Sequence, residues 1–470
     1  MRKLFFLLTL LALVLTSVAM AADNDAKIKK LEKQVRDLEN KSLKNRLKFT
    51  GEYRFEAHSL SYEFNDYQTY QGPDNPLGQN EGYKVDNSIM YTNRLRLNLA
   101  AEVAKNVSFD GRLSMYKTWG DATGVQVFNG QSNSFIVDGN TANVPNSDVL
   151  RVERAFFTWT NLFHTPLYLS IGRRPSADGP PMHLRNDEKR GGTPMATLID
   201  MQFDGITVGY HVTDWNAVRL CYGLGYESQF GNGVLTENPL DDAQFLGLNW
   251  DLYDKNDMFI QTTVARGFDL TDGFNGLTVM PMDMNTGQPV PPMVMRYSPT
   301  ANLGDVDLAG LLLMRRDGPL DWFGSFQYMK SHPDNVSSTF GGLFTDPGMT
   351  PESQDATMFY LGVRYNLNHE KTKIGVEYNQ GSEYWFNFTP AQDDIIAPKT
   401  NTRGNVWEGY VTHRIARRFI AKLGYQLYNY DYSGSGWHMG APKDLDSNPV
   451  LVFPTYSKAS AISLSLMARF

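Results

Sequence analysis

Arginines fall on one face of the first segments in which polar and apolar residues alternate: Arg54, Arg94, Arg96 and Arg112. The long connection 175–197 carries the adjacent carboxylates Asp187 and Glu188. Guanidinium groups facing carboxylates across a pore create a transverse field that orders water and filters solutes by charge and size. These residues predict a charged pore constriction if the connection folds towards the arginines.

The arginines also have a second interpretation. They can pair with carboxylates on the same or neighbouring segments and merely fill the lumen, because opposite charges on adjacent strands attract each other. The carboxylates available for this pairing are Glu52, Glu56, Glu102 and Asp110. Two further arginines, Arg173 and Arg174, border the connection 175–197 and would favour anions at a constriction. Both interpretations are open on the sequence.

Metal and catalytic chemistry have little support. Met280, Met282 and Met284 are weak candidates for a soft-metal site, since thioethers suit Cu(I). Such methionines more often pack a loop flexibly. The eight histidines are scattered, and neither a Gly-x-Ser-x-Gly nor a His-Glu-x-x-His motif occurs. We therefore expect no enzyme activity and no cofactor.

The segments that carry the arginines have the period of a β-strand. Leu95, Leu97 and Leu99 fall on one side, and Arg94 and Arg96 fall on the other, so one face suits lipid and the other suits water. The pattern predicts sixteen strands: 47–58, 89–104, 107–118, 148–161, 165–174, 198–212, 216–229, 242–254, 257–268, 303–316, 320–331, 355–367, 371–382, 404–416, 419–431 and 459–470.

The connections between these strands alternate between very short links, such as 105–106, and long ones, such as 119–147. Outer-membrane barrels have this arrangement, with the short turns in the periplasm, whereas a soluble sandwich gives no reason for it. We predict an all-β fold: a transmembrane antiparallel up-and-down β-barrel of 16 strands over 46–470. An additional hairpin inside 59–88 or 269–302 would raise the count to 18.

The N-terminal residues differ from the barrel. Residues 1–21 have the basic start, the short apolar run and the small-residue end of a signal peptide. Residues 22–45 then place apolar residues at the a and d positions of a heptad: Ile28, Leu31, Val35 and Leu38. A short periplasmic coiled coil that helps barrels associate and a solvated amphipathic linker both fit this repeat.

Composition supports a membrane barrel. Aromatic residues make up 13% of the chain, although the mean hydropathy is negative. Aromatic girdles and a polar lumen produce this combination. Cys221 is the only cysteine, so disulfides cannot stabilise the fold. The formal net charge of −7 argues against nucleic acid as a partner.

Three features of the sequence resemble known families of outer-membrane proteins. The terminal Phe470, with apolar residues at alternate positions before it, resembles the signature read by the barrel-assembly machinery. The stretch IGRRPSADGPPMHLRNDEKRGGTP, 171–194, resembles a segment of an uncharacterised family of Gram-negative porin-like proteins, a domain of unknown function. The layout is also similar to that of the general porins, which implies that the third long loop, 175–197, folds inward as a constriction.

These observations predict a passive or weakly selective porin for small hydrophilic solutes in the cell outer membrane, in contact with lipid and lipopolysaccharide. Both termini are expected in the periplasm. A homo-oligomer is expected, and the resemblance to general porins favours a trimer. The alternative is a barrel that acts as a sheath or scaffold for a partner, such as a multihaem cytochrome in an electron conduit.

Overall fold

A computed structural model provides the structure of the chain. It describes residues 27–36, 47–69, 77–120, 145, 147–174, 176–202, 204–230, 235, 237, 240–255, 257–272, 276–282, 289–297, 299–338, 341–451 and 454–470. The predicted signal peptide, 1–21, lies outside these residues. Within 22–45, residues 27–36 form a helix on which Ile28, Leu31 and Val35 are each more than half exposed. The coiled coil itself stays a prediction.

The rest of the described chain is mostly antiparallel β-structure. The strands are β1 (Lys48–Phe64), β2 (Tyr67–Thr69), β3 (Gly78–Asn80), β4 (Lys84–Ala104), β5 (Val107–Thr118), β6 (Ser147–Leu162), β7 (Leu167–Arg173), β8 (Asp204–Thr213), β9 (Asn216–Tyr226), β10 (Ala243–Lys255), β11 (Met258–Thr271), β12 (Gly276–Met282), β13 (Pro289–Tyr297), β14 (Asn302–Asp317), β15 (Leu320–Pro333), β16 (Asp355–Leu367), β17 (Thr372–Gly381), β18 (Gly404–Ala416), β19 (Phe419–Tyr430) and β20 (Tyr456–Arg469).

Sixteen of these strands close into one barrel, in which each pairs with its sequence neighbour and β20 returns to β1. The predicted count of sixteen is confirmed. Hairpins are present inside both 59–88 and 269–302, but β2–β3 and β12–β13 form separate two-stranded sheets. The predicted strand 198–212 begins later, at Asp204, because residues 198–202 belong to the preceding loop.

Short turns join the barrel strands at one end, here called the turn end, and long connections join them at the other, the loop end. The third, seventh and eighth of these long connections are L3 (174–203), L7 (382–403) and L8 (431–455). No helix in the part of the chain described is both long and apolar enough to span a membrane.

The outer face of the barrel is apolar, as the alternation predicts. Leu220, Val264 and Leu311 are each about half exposed on that face. On β4, by contrast, Arg94 and Arg96 point inward and are almost completely buried. An apolar exterior around a closed hydrogen-bonded sheet leaves lipid no unpaired backbone group to contact, so the barrel is suited to span a membrane.

The lumen is not uniformly polar, which differs from the prediction. On β14, Leu308 and Leu312 point inward and are almost completely buried, while Leu311 faces outward. They join an apolar cluster inside the barrel with Met195 and Leu198 of L3. The inner wall at this position is apolar because a loop of the same chain covers it.

Glycines lie opposite one another where β7, β8 and β9 approach L3. Gly172 pairs with Gly205, and Gly205 pairs with Gly223. Gly172 has a φ of +129°, and a Cβ atom there would lie 2.4 Å from the carbonyl oxygen of Ala155. Only glycine fits this backbone without moving the neighbouring strand.

We expect Gly172→Ala to destabilise the barrel by about 1–3 kcal/mol from backbone strain alone, because side chains rarely adopt this conformation. The measurement is the temperature at which the folded band converts to the unfolded one on a denaturing gel. Gly409→Ala is the control, since a Cβ atom there meets nothing within 4 Å. Equal conversion temperatures for the two variants would contradict the assignment.

Candidate functional site

Two long loops enter the barrel and pair with each other inside it. The backbone N–H of Asp200 donates to the carbonyl of Phe388 at 2.8 Å, and the N–H of Phe388 donates to the carbonyl of Leu198 at 2.9 Å. L3 also packs tightly on β14, where a Cβ atom on Gly310 would lie 2.9 Å from Leu198. The inward fold expected of the third long loop is therefore present, and L7 accompanies it.

Within L3, the peptide bond between Pro180 and Pro181 is cis. The N–H groups of Gly191 and Gly192 both donate to the carbonyl of Asp178, at 2.9 and 3.2 Å. These hydrogen bonds fold the loop back on itself and hold residues 191–192 against Asp178.

The arginines of the first strands face a carboxylate of L7. Arg54 Nη2 donates to Asp393 Oδ1 at 2.9 Å, and Arg94 Nη1 donates to Asp393 Oδ2 at 2.9 Å. Arg94 also donates to Glu52 at 3.0 Å, and Arg54 Nε lies 2.9 Å from Glu56. Burial by itself raises the pKa of Asp393, but the two guanidinium groups outweigh it and hold that pKa well below its ordinary value.

The remaining two arginines of this wall meet the beginning of L3. Arg112 donates to Glu153 at 2.9 Å, and Arg96 Nε lies 3.3 Å from the same carboxylate. Asp178 accepts from Arg154 at 2.8 Å and lies within 4 Å of both Arg96 and Arg112. The wall is thus charge-paired, partly by strand residues and partly by loop carboxylates.

Of the two carboxylates predicted to face this wall, Asp187 does not face it, which corrects that part of the prediction, whereas Glu188 lies close enough to interact electrostatically with Arg94, Arg96 and Arg112. Asp187 lies across the lumen, where Lys373 donates to it and Arg364 and Arg414 lie 3.7 and 3.4 Å away. Glu188 lies 3.3 Å from Arg469, and burial together with nearby Glu52 raises its pKa. The loop carboxylates that form ion pairs with the wall are Asp393 and Asp178.

The strand-paired interpretation is correct in part. Glu52 and Glu56 pair with the arginines as it requires, whereas Glu102 is exposed near the turn end of β4.

Arg173 and Arg174 occupy different environments. Arg173 lies at the rim, where its Nε donates to the carbonyl of Val152 and its Nη1 lies 4.0 Å from the exposed Asp204. Arg174 is buried inside with its guanidinium 5.8 Å from the ring of Phe156. The structure thus separates Arg173 from the lumen charges and buries Arg174 at the start of L3.

A second ion cluster fixes L3 to L7 and to β18. Arg185 of L3 donates to Asp394 at 2.6 Å and to Glu408 at 3.0 Å. Lys399 of L7 donates to Glu408 and Glu377, each at 2.5 Å. All five side chains are at most 3% exposed, so these charges are held by one another rather than by water.

A polar cavity of about 70 Å³ remains between the two loops and the wall formed by β1 and β18–β20. Its lining carries both signs of charge: Arg54, Arg185, Lys422, Glu56, Asp393 and Glu408. His58 also lines it, with ring nitrogens 2.7 Å from Ser463 Oγ and 3.0 Å from Thr92 Oγ1. A cavity of this size and polarity holds several water molecules.

The methionine candidates are not tested by these contacts. Met284 lies outside the described residues. Met280 and Met282 lie in the separate hairpin β12–β13, where the backbone of Met280 pairs with Met293. Among the residues that the structure describes, no three His, Cys, Asp or Glu side chains come together as a metal site.

Arg403, at the end of L7, holds the loops together at the loop end. It is 1% exposed, and it donates to the carbonyls of Trp385, Ser433 and Trp437 at 3.1, 2.9 and 2.8 Å. The guanidinium also lies 5.7 Å from the ring of Phe344. Burial lowers the pKa of Arg403 to about 9, which still leaves it charged at neutral pH.

We expect Arg403→Met to release L8 from L7, because each lost hydrogen bond from a charged donor costs about 1.5–3 kcal/mol. Hydrogen–deuterium exchange of 431–451 should rise strongly while exchange of the barrel strands stays unchanged. Arg417→Met, in an exposed turn, is the matched control. Unchanged exchange in L8 would show that Arg403 does not hold it.

Comparison with solved structures finds barrels of similar topology at low similarity. The anion-selective porin of Comamonas acidovorans has a TM-score of 0.48 and 11% identity, with 90% of this chain and 99% of that chain covered. OmpF of Salmonella typhi, in complex with daunomycin, has a TM-score of 0.45 and 8% identity over 90% and 97%. OprB of Pseudomonas putida has a TM-score of 0.44 and 12% identity over 92% and 96%. Likeness at this level extends to no binding property.

No curated protein matches the chain. The model of one family does match, over residues 84–470, and its description is "Protein of unknown function (DUF3373)". This match contains the stretch 171–194 and confirms the resemblance to an uncharacterised family. The chain belongs to the DUF3373 family of proteins of unknown function.

Proposed function

We propose that the protein is an outer-membrane porin that lets small hydrophilic solutes diffuse passively or with weak selectivity. The solutes pass along the wall of β1 and β18–β20, where the polar cavity lies, and L3 and L7 together set the size limit. The observation that carries this proposal is that cavity, which is lined by charges of both signs. Mixed charges orient water and polar solutes without binding either ion strongly.

The orientation follows from the same physics. The turn end is placed in the periplasm and the loop end outside, as in other barrels with short turns and long loops. Both termini then lie in the periplasm. The apolar outer face contacts lipid and lipopolysaccharide, and Phe470, whose backbone pairs with Gly51 to close the barrel, is the residue offered to the barrel-assembly machinery.

A trimer is the proposed assembly, in line with the expectation from the general porins. The exposed apolar residues of the N-terminal helix would associate beneath three barrels, because helices this short are marginal alone. The outer barrel wall supplies the larger contact area.

The sheath hypothesis has less support. A partner protein inside the barrel needs an empty lumen, whereas L3 and L7 pack there with buried side chains such as Trp385 and Leu198. Displacing both loops would expose the ion cluster around Glu408 and the apolar wall of β14. We therefore retain the porin as the proposed function, with no enzymatic role and no cofactor.

Charge reversal in the cavity tests the route of the solutes. Lys422 lines the cavity and is 22% exposed, so Lys422→Glu should shift the reversal potential in a planar bilayer with a salt gradient towards cation preference. Lys105→Glu, in an exposed turn, is the control and should leave the reversal potential unchanged. If Lys422→Glu conducts with the reversal potential of the unmodified protein, the ions take another route.

Removal of the L7 carboxylate tests the constriction. Asp393→Ala leaves Arg54 and Arg94 short of a partner, and breaking a buried ion pair costs about 3–5 kcal/mol, enough to displace the loop segment. We expect a larger single-channel conductance and a shift towards anions. Asp214→Ala, in an exposed turn, should have neither effect. A conductance unchanged by Asp393→Ala would show that L7 does not set the size limit.

A further inference from the structure

A second cavity, here called the aromatic pocket, lies near the loop end of the lumen. It has a volume of about 70 Å³, and its walls come from β9–β11, the end of L3, L7 and L8. The side chains that dominate it are apolar: Met201, Phe245, Leu270, Phe386, Phe388 and Trp437. A water-filled pore normally presents polar groups to its lumen. This apolar lining is therefore suited to different molecules from those that enter the polar cavity.

Missing side chains on β9 create the space. Gly223 and Gly225 line the pocket, in register with the inward-facing Ala217 and Arg219 further along the strand. A Cβ atom on Gly225 would meet only the carbonyl oxygen of Ala243, at 3.4 Å. A larger residue there would project into the cavity, so the pocket depends on the absence of a side chain at residue 225.

The polar side chains around the pocket are already satisfied by the protein. The amide nitrogen of Asn387 donates to the carbonyls of Thr197 and Thr400 at 2.7 and 3.0 Å, and its oxygen accepts from Thr389 at 2.7 Å. Asn401 donates to the carbonyl of Asn387 at 3.0 Å. These groups hold the loop in shape and leave little hydrogen bonding for a guest.

The histidine of the pocket is neutral as well. One ring nitrogen of His438 lies 2.8 Å from the carbonyl oxygen of Thr271, so that it donates to it. Burial lowers the pKa of His438 to about 4, and the ring therefore carries no charge at neutral pH. Transfer of an ion from water into this pocket is therefore unfavourable.

The rings of the pocket are arranged edge to face. Phe245 and Phe388 have centroids 5.1 Å apart at 82°, and Phe386 and Phe388 have centroids 5.1 Å apart at 76°. Aromatic rings prefer this geometry because the positive edge of one meets the negative face of the next. A further planar ring can continue the arrangement, with Trp437 closing the other side.

We propose that the aromatic pocket binds a small neutral aromatic molecule. Apolar cavities of this kind do not hold water well and instead take up apolar guests. A site lined mainly by apolar and aromatic side chains with a few fixed polar groups is the usual form of a small-molecule pocket. This ligand is distinct from the hydrophilic solutes of the polar cavity, and the site does not depend on the chain being a porin.

Two glycine variants separate the cavities. Gly225→Leu fills the aromatic pocket, while Gly424→Leu fills the polar cavity, where a Cβ atom on Gly424 meets nothing within 4 Å. Both are inward-facing glycines of the barrel wall, so each is the matched control for the other.

Binding of fluorobenzene is measured by ¹⁹F NMR on the full chain in lipid nanodiscs, with empty nanodiscs as the blank. We expect saturable binding to the unmodified protein and to Gly424→Leu, and affinity weaker by about tenfold or more in Gly225→Leu. Fluoroacetate, which is charged and has no ring, should not compete.

Conductance gives the reciprocal readout, since Gly424→Leu should reduce it and Gly225→Leu should not. If Gly225→Leu fails to fold, as judged by its gel mobility before heating, Trp437→Ala replaces it and should also weaken binding. The proposal is overturned if fluorobenzene binds to nanodiscs that carry the protein no more than to empty nanodiscs, or if the folded pocket variant binds it as tightly as the unmodified protein does. If the protein shows no conductance in a planar bilayer but binds the fluorinated ring saturably, the porin proposal is refuted and the pocket proposal stands.

Discussion

Buried arginines in the lumen require carboxylates, and the strands alone do not supply enough of them. Arg54 and Arg94 are at most 5% exposed, and each takes one strand-borne partner, Glu56 and Glu52 respectively. Removing a charge from water costs several kcal/mol unless it is paired and hydrogen-bonded. The shared carboxylate Asp393 provides the remaining contacts, so the position of L7 in the barrel is a condition for burying this wall at all.

The opposite wall holds the loops by a different force. Leu308 and Leu312 of β14 contact Met195 and Leu198 of L3, and burying such side chains stabilises the packed loop through the hydrophobic effect. Between the two walls, Arg185 and Lys399 join L3, L7 and β18 around Glu408. The loops are therefore held by ion pairs on one side and apolar packing on the other, and the polar cavity lies on the ion-paired side.

The strands were predictable from the sequence because the alternation is a local property. A period of two, together with alternating connection lengths, is enough to predict sixteen strands and which of their residues point inward, including Arg94 and Arg96. The apolar inner wall also has a sequence signal: the run Leu311-Leu312-Leu313-Met314 is apolar on both faces, which indicates an inner face that is covered rather than wet.

The loop carboxylates that pair with the arginines were not predictable, because loop conformation decides them. Asp187 has a φ of 50° and turns towards Lys373, while Asp393 comes from a loop some 300 residues after the arginines it binds. No spacing in the sequence links Arg94 to Asp393. The alternation could place the arginines, but only the folded path of L7 identifies which acid they meet.

L7 gives the lumen its two chemistries. Within a few residues, the loop presents Phe386 and Phe388 to one cavity and Asp393 to the other. The backbone of Phe388 pairs with L3 between these two parts of the loop, and the aromatic rings line one cavity while the carboxylate lines the other. Space remains inside the barrel where the wall lacks side chains. Gly225 leaves room beside the aromatic rings, and Gly424 leaves room beside the charged groups. L7 thus contributes residues to both cavities, and a glycine of the barrel wall leaves room in each.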